Sequence, residues 1–189
     1  GLSTDHYDQT TGHYWNVNST AFVARSGNTA VVAVGGTDDT IDWIQDATGM
    51  YPQIWNLQPL IDAFDQFVAT HEVITQVYVT GHSLGGALAQ AYMLAHPDAG
   101  VVSYDAVTFA APGFNYGTPF GYAAYQLSML GSDSKMADLP LQYLGHDDRV
   151  LHFEIAGDVV PDLLHKIGDT IHLDAQGAGE SLKDLHSMG

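Results

Sequence analysis

Gly81-His82-Ser83-Leu84-Gly85 is the stretch of this chain whose residue types and spacing can do chemistry. It is a G-x-S-x-G pentapeptide, preceded by the apolar β-like run Val77-Tyr78-Val79-Thr80 and followed by a small-residue helical run from Gly85 to Ala95. A serine held on a sharp turn from strand to helix has its hydroxyl pushed into the open, where an imidazole can take its proton. Glycines at 81 and 85 leave room for that turn, since a Cβ there would press on neighbouring backbone. The N–H of the next residue, Leu84, then points toward the oxygen of a carbonyl under attack. The same five residues also occur as an ordinary Ser/Gly-rich loop. The strand before and the helix after are what favour a nucleophile.

A serine hydroxyl attacks only when an imidazole accepts its proton and a carboxylate fixes the imidazole tautomer. On a strand–turn–helix nucleophile the chain order is serine, then carboxylate, then histidine. Asp158 fits the second place, because Leu151-His152-Phe153-Glu154-Ile155-Ala156 reads as a strand and Gly157-Asp158-Val159-Val160-Pro161 follows it. An aspartate capping a turn before Pro161 explains the position equally well. Downstream histidines are His165, His172 and His186. His165 follows the strand end too closely to swing across to Ser83, and His172 alternates with Ile171 and Leu173 as the outward side of a strand. His186 comes after the Gly177-Ala178-Gly179 break, where an imidazole can reach back to the sheet edge.

The elements that must position these groups follow from periodicity. Thr20 to Arg25 and Thr29 to Gly35 read as a hairpin across Ser26-Gly27-Asn28, and residues 1–18 as a polar, aromatic edge segment. A short amphipathic helix is expected over 40–47 and a longer one over about 57–71, with Leu57, Leu60, Ile61, Phe64, Phe67 and Val68 on one face. Strands are expected over 75–80, within 101–109, over 150–156 and over 170–173. Helices are expected after Ser83, ended by Pro97, and near 117–130, before a polar link from Gly131 to Asp138. Strands alternating with helices predict an α/β fold with a mostly parallel sheet covered on both faces.

Bulk properties narrow the function classes. With 189 residues and 46% apolar content, a single globular domain over 1–189 is expected. No apolar run is long enough to span a membrane. There is no cysteine, which excludes disulfides and thiolate metal sites. Five Lys and Arg against 22 Asp and Glu give a net charge of −17, which argues against nucleic acid and anionic membrane surfaces as partners. No D-x-D-x-D-G loop supports a dedicated calcium site. Asp38-Asp39 and His146-Asp147-Asp148 read as solvated acidic loops rather than metal ligands. A first residue other than Met and an end three residues past His186 suggest a domain excised from a longer chain.

Five segments, in order, resemble the class 3 lipase family of α/β-hydrolases. Val34-Gly35-Gly36-Thr37 with Ile41-Asp42-Trp43-Ile44-Gln45-Asp46 is similar to its oxyanion strand and short lid-like helix. Gly81 to Ala89 is similar to its nucleophile elbow, Thr108-Phe109-Ala110-Ala111-Pro112 to its next strand end, and Gly157 to Pro161 to its aspartate segment. His186-Ser187-Met188 falls where the family's histidine does. The resemblance implies a Ser83–His186–Asp158 triad with oxyanion donors from Leu84 and Thr37. It implies no cofactor, a lipid or small ester substrate, transient contact with a lipid interface, and a secreted location. Gly35 stands where the family usually has arginine, which removes an anchor, and the family's helical segment ahead of the first strands is missing.

Ile41, Trp43 and Ile44, together with Met50, Tyr51, Ile54 and Trp55, form an apolar group just after Thr37. Core packing is the commoner origin of such a group, and the functional alternative is a wall or flap for an acyl chain. The expectation is therefore a serine hydrolase of carboxylic esters, lipid-like in substrate, acting through an acyl-enzyme. Phospholipase A1 and feruloyl- or polyester-type esterases share every one of these residues. A catalytically silent binding module of a larger secreted protein is the rival from another class.

Overall fold

The computed structural model of the chain describes residues 1–36, 51–98, 100–113, 119–140 and 144–174. Seven strands form one sheet in sequence order: β1 (His13–Asn16), β2 (Ser19–Ser26), β3 (Thr29–Val34), β4 (Gln76–His82), β5 (Ser103–Phe109), β6 (Val150–Ile155) and β7 (Asp169–Leu173). The first three are antiparallel meanders, with Ser26 facing Thr29 across the expected turn at Gly27. From β3 onward every pairing is parallel. The hydrophobic and β-branched content of these segments, bounded by Gly, Asn and Pro, is what makes strands of them. The segment 1–18 supplies edge strand β1, with Tyr14 buried and hydrogen-bonded through its hydroxyl to the Asn56 carbonyl at 2.6 Å.

Three described helices connect the strands: α1 (Tyr51–Thr70), α2 (Leu84–Ala95) and α3 (Pro119–Ser128). Helix α1 begins earlier than the periodicity over 57–71 indicates and holds Pro59 in its interior. An internal proline removes one backbone bond and costs about 3 kcal/mol. Ile54, Leu57, Leu60, Phe64 and Val68, all buried, hold the helix on the sheet on both sides of that proline. The polar link 131–138 is also more ordered than its composition indicates. It contains a 3₁₀ turn, Lys135–Asp138, that buries Met136 and accepts a hydrogen bond from the Tyr125 hydroxyl at the Met136 carbonyl.

Cover on both sheet faces was expected, and among the described residues it is found on one. Ala21, Val32 and Val79 of the sheet meet Ile54, Leu57 and Leu60 of α1 and Leu88 and Tyr92 of α2 on the same side. On the opposite face Phe22, Tyr78, Phe109 and Ile171 remain 38–47% exposed. Strand register explains the grouping, since alternate residues of adjacent strands share a face.

Helix α2 is buried from Leu84 to Met93, the pattern of a helix packed on every side. Its C-terminal end is fixed by a polar cluster. His96 bonds the Tyr92 carbonyl through Nδ1 (2.7 Å) and Asp65 Oδ2 of α1 through Nε2 (2.7 Å). The Tyr92 hydroxyl donates to Asp65 Oδ1 at 2.8 Å. Arg149 donates to the His96 carbonyl (2.8 Å) and the Met93 carbonyl (3.3 Å) while pairing with Asp147 (2.7 Å). A cation at the carbonyl end of a helix opposes its dipole as well as satisfying those carbonyls.

One buried imidazole sits in the sheet itself. His152 of β6 is fully buried, with Nδ1 at 2.6 Å from the Thr108 hydroxyl and Nε2 without a hydrogen-bond partner among the described residues. Burial, and then the charge of Lys166, push its pKa down from 6.5 to about 4. Above pH 6.5 both folded and unfolded chains hold it neutral. As the pH falls toward 4 the unfolded chain takes up a proton that the fold refuses, so stability is lost across that window. The penalty reaches about 3 kcal/mol. Urea unfolding at pH 7 and pH 4 of the wild type and of His152→Gln checks this. The stability advantage of the wild type over the variant is expected to shrink by up to that amount at the lower pH, and a constant difference would contradict it.

Candidate active site

The C-terminal ends of the parallel strands collect the candidate residues. Ser83 follows the last residue of β4 and has φ 55° and ψ −126°, a backbone conformation that non-glycine residues rarely adopt. Holding it costs on the order of 1–3 kcal/mol, and the surroundings must over-determine it. Its N–H donates to the Phe109 carbonyl at the end of β5 (2.9 Å), and its carbonyl accepts from Gly86 (2.9 Å) and Ala87 (3.2 Å) in the first turn of α2.

The two motif glycines are dictated by contact. A Cβ on Gly81 would lie 2.3 Å from the Gly85 carbonyl carbon and oxygen. A Cβ on Gly85 would lie 2.2 Å from the Val34 carbonyl oxygen. The strand before Ser83, the helix after it and the end of β3 therefore touch backbone to backbone. Gly36 completes the contact, since a Cβ there would meet the His82 carbonyl at 2.8 Å and the Ser83 Cβ at 3.5 Å. The chain leaving β3 thus runs directly beside Ser83.

Gly35 is dictated by contact as well. A Cβ at 35 would fall 2.2 Å from the Thr20 hydroxyl, and the Gly35 N–H donates to the Thr20 carbonyl at 2.8 Å. In this chain the strand end is fixed by β2 backbone rather than by a long side chain.

Ser83 is 1% exposed, and its hydroxyl has no hydrogen-bond partner among the described residues. Buried polar atoms are nearly always paired, so an unpartnered hydroxyl at this turn is a candidate for function. Leu84 is the first residue of α2, where backbone N–H groups have no intrahelical acceptor and the helix dipole favours negative charge.

Asp158 follows β6, two strands from Ser83 at the same sheet edge, and is 5% exposed. Its Oδ1 accepts from the Val160 N–H at 3.0 Å, the turn role the sequence allowed, and burial of the carboxylate sets it apart from a surface cap. Two of the rival histidines are engaged elsewhere. His165 Nε2 sits 3.2 Å from the Gly145 carbonyl, and His172, exposed on β7, lies 3.7 Å from Glu154. His186, Thr37, Ile41, Trp43 and Ile44 lie outside the described residues, as does Met50. Within the remaining apolar group, Ile54 is core, and Trp55 is partly exposed with its indole donating to Ser128 (2.8 Å).

Sequence reasoning missed three features of this edge. Ala110, with φ 47°, turns the chain sharply after β5, and its N–H donates to the Phe153 carbonyl at 2.9 Å. Val159 and Leu164 follow Asp158 along the chain as exposed apolar side chains. Gln90, inside α2, is fully buried. No motif announces any of them, although an isolated glutamine in a run of small apolar residues is a visible irregularity. Among the described residues no group of three His, Asp or Glu side chains could hold a metal ion, and no helix is long and apolar enough to cross a membrane.

The parallel sheet, the strained serine between β4 and α2, and the glycine contacts around it define an α/β-hydrolase fold. Residues 50–118 match the Lipase (class 3) family. No curated protein gives a significant match. Among solved structures, a mutant form of MDLA from Penicillium cyclopium aligns with TM-score 0.55 and 15% identity over 95% of this chain and 65% of that one. A fungal lipase aligns with TM-score 0.56 and 17% identity over 92% and 67%, and Lip2 lipase from Yarrowia lipolytica with 0.50 and 16% over 97% and 69%. These likenesses are of fold, and the chain spans about two thirds of the length of each.

The close contacts make a direct prediction. Gly85→Ala is expected to cost at least about 3 kcal/mol in urea unfolding, because backbone cannot yield at both Val34 and Gly35. Gly131→Ala, at φ 77° but with nothing within 4 Å, is expected to cost only about 1 kcal/mol. Equal costs would contradict the packing of the elbow.

Proposed function

We propose that the protein is a serine hydrolase of carboxylic esters, with lipid (acylglycerol) esters as the substrate class. The observation that carries the reading is Ser83 itself: a buried hydroxyl with no hydrogen-bond partner among the described residues, on a strained backbone, at the start of a helix and beside the end of β3. In this reading Ser83 Oγ attacks the ester carbonyl as His186 removes its proton. Asp158 holds the imidazole in the tautomer that accepts that proton and stabilises the imidazolium. The Leu84 and Thr37 main-chain N–H groups receive the oxyanion of the tetrahedral intermediate. Collapse expels the alcohol, protonated by His186, and leaves an acyl-Ser83 ester. Water then repeats the sequence and releases the acid.

Ile41, Trp43 and Ile44 are assigned to the wall or flap of the acyl site. A net charge of −17 favours neutral acylglycerols over anionic phospholipids, because a strongly acidic protein is repelled from an anionic surface. A secreted location accompanies this reading. The match of residues 50–118, which include the whole elbow, to the Lipase (class 3) family supports it.

Hydrolysis of a p-nitrophenyl ester series is the test. Ser83→Ala and His186→Ala are each expected to lower kcat by roughly 10³-fold or more, and Asp158→Asn by roughly 10²–10⁴-fold. His172→Ala is expected to stay near wild type. Unchanged rates in Ser83→Ala would remove the enzyme reading, and loss in His172→Ala but not His186→Ala would reassign the base. Faster turnover of micellar lipid than of soluble ester is expected for a lipase, and the reverse would make it an esterase.

A further inference from the structure

Helix α2 approaches the rest of the site through apolar or backbone contacts at nearly every position, and Gln90 is the exception. Its side chain is fully buried two turns beyond Ser83. Nε2 donates to the Pro112 carbonyl at 2.9 Å, with a longer contact to the Gly86 carbonyl at 3.4 Å. Oε1 accepts from the Ile167 N–H at 3.4 Å. One amide therefore bonds three pieces of backbone: the helix that begins at Ser83, the turn after β5, and the end of the loop that carries Asp158.

These pieces are joined to one another around the same point. Gly113 in the turn donates to the Leu163 carbonyl at 2.7 Å, and a Cβ on Gly113 would lie 2.4 Å from the Leu164 and His165 backbone. Within the loop, Leu163 donates to Val160 at 3.1 Å, and Val160 donates to the Asp158 carboxylate at 3.0 Å. A continuous chain of hydrogen bonds thus runs from Asp158 through Val160 and Leu163 to Gly113, with Gln90 tying the far end of the loop to the nucleophile helix. The connection between β6 and β7 has no described helix to set the loop's height over the sheet, so this joint has to do it.

We propose that Gln90 is a positioning residue that holds the helix of Ser83 and the loop of Asp158 at one fixed separation. The proposal rests on the reading of Ser83 and Asp158 given above. It gives the buried amide a function besides satisfying buried carbonyls. A misplacement of about 1 Å between groups that act together costs up to about 10²-fold in rate while leaving ground-state binding in place.

Gln90→Met keeps the volume and removes both bonding ends. With a soluble p-nitrophenyl ester it is expected to lower kcat about 10-fold or more with KM changed less than about twofold. In the Asp158→Asn background the same substitution is expected to cost less than about threefold, because the separation it controls no longer matters. An equal loss in both backgrounds would overturn the positioning role and leave Gln90 structural. Full activity in Asp158→Asn alone would instead remove the carboxylate assignment on which the proposal stands. If Gln90→Met does not fold, Gln90→Glu replaces it. Its neutral acid can donate to Pro112 and its carboxylate cannot, so its kcat relative to wild type is expected to rise as the pH falls. A flat ratio would overturn the proposal.

Discussion

Ser83 holds a φ of 55° because three backbones converge on it with no side-chain atoms between them. The end of β3 lies against Gly85, the start of α2 lies against Gly81, and the Phe109 carbonyl receives the Ser83 N–H. Strain of this kind persists only where its surroundings leave no alternative. Here the alternatives are closed by close packing between peptide groups, which is why both motif glycines are fixed in type. The serine hydroxyl at this junction is left without a hydrogen-bond partner among the described residues.

Everything else in the fold serves to keep that junction in register. Parallel pairing from β3 to β7 brings the strand ends to one edge, so residues far apart in sequence share it. Helix α2 is pinned at its far end by Asp65, His96 and Arg149, and near its middle by Gln90. A helix fixed in this way cannot slide, and its first turn keeps its orientation to the serine.

The sequence carried the parts of this design that depend on residue type at short range. G-x-S-x-G between a β run and a small-residue run located the turn, because only glycine tolerates those contacts. Alternation and turn residues located the strands, and Asp158 was placed by its position just past one of them. The parts that were not legible depend on long-range packing. The periodicity over 57–71 misses the first turns of α1, which begin at Tyr51 and are held on the sheet by buried Ile54. The polar string around Met136 hides a 3₁₀ turn that buries this one side chain. Gln90 resembles any polar residue in a helix until Pro112 and Ile167 are brought to it. Cover on one face rather than two, as found among the described residues, is also invisible to a pattern that repeats every second residue. The roles of His186, Thr37, Ile41, Trp43 and Ile44 still rest on the sequence pattern alone.

A mechanism-based label reads the central claim without relying on the loss of activity. Incubation with a fluorophosphonate ester should phosphonylate one nucleophile with loss of fluoride, and peptide mass spectrometry should locate it. The adduct is expected on Ser83, with labelling abolished in Ser83→Ala and ester turnover lost in step with label uptake. A protein that still turns over ester with Ser83 unmodified, or that carries the adduct on another residue, would contradict the account.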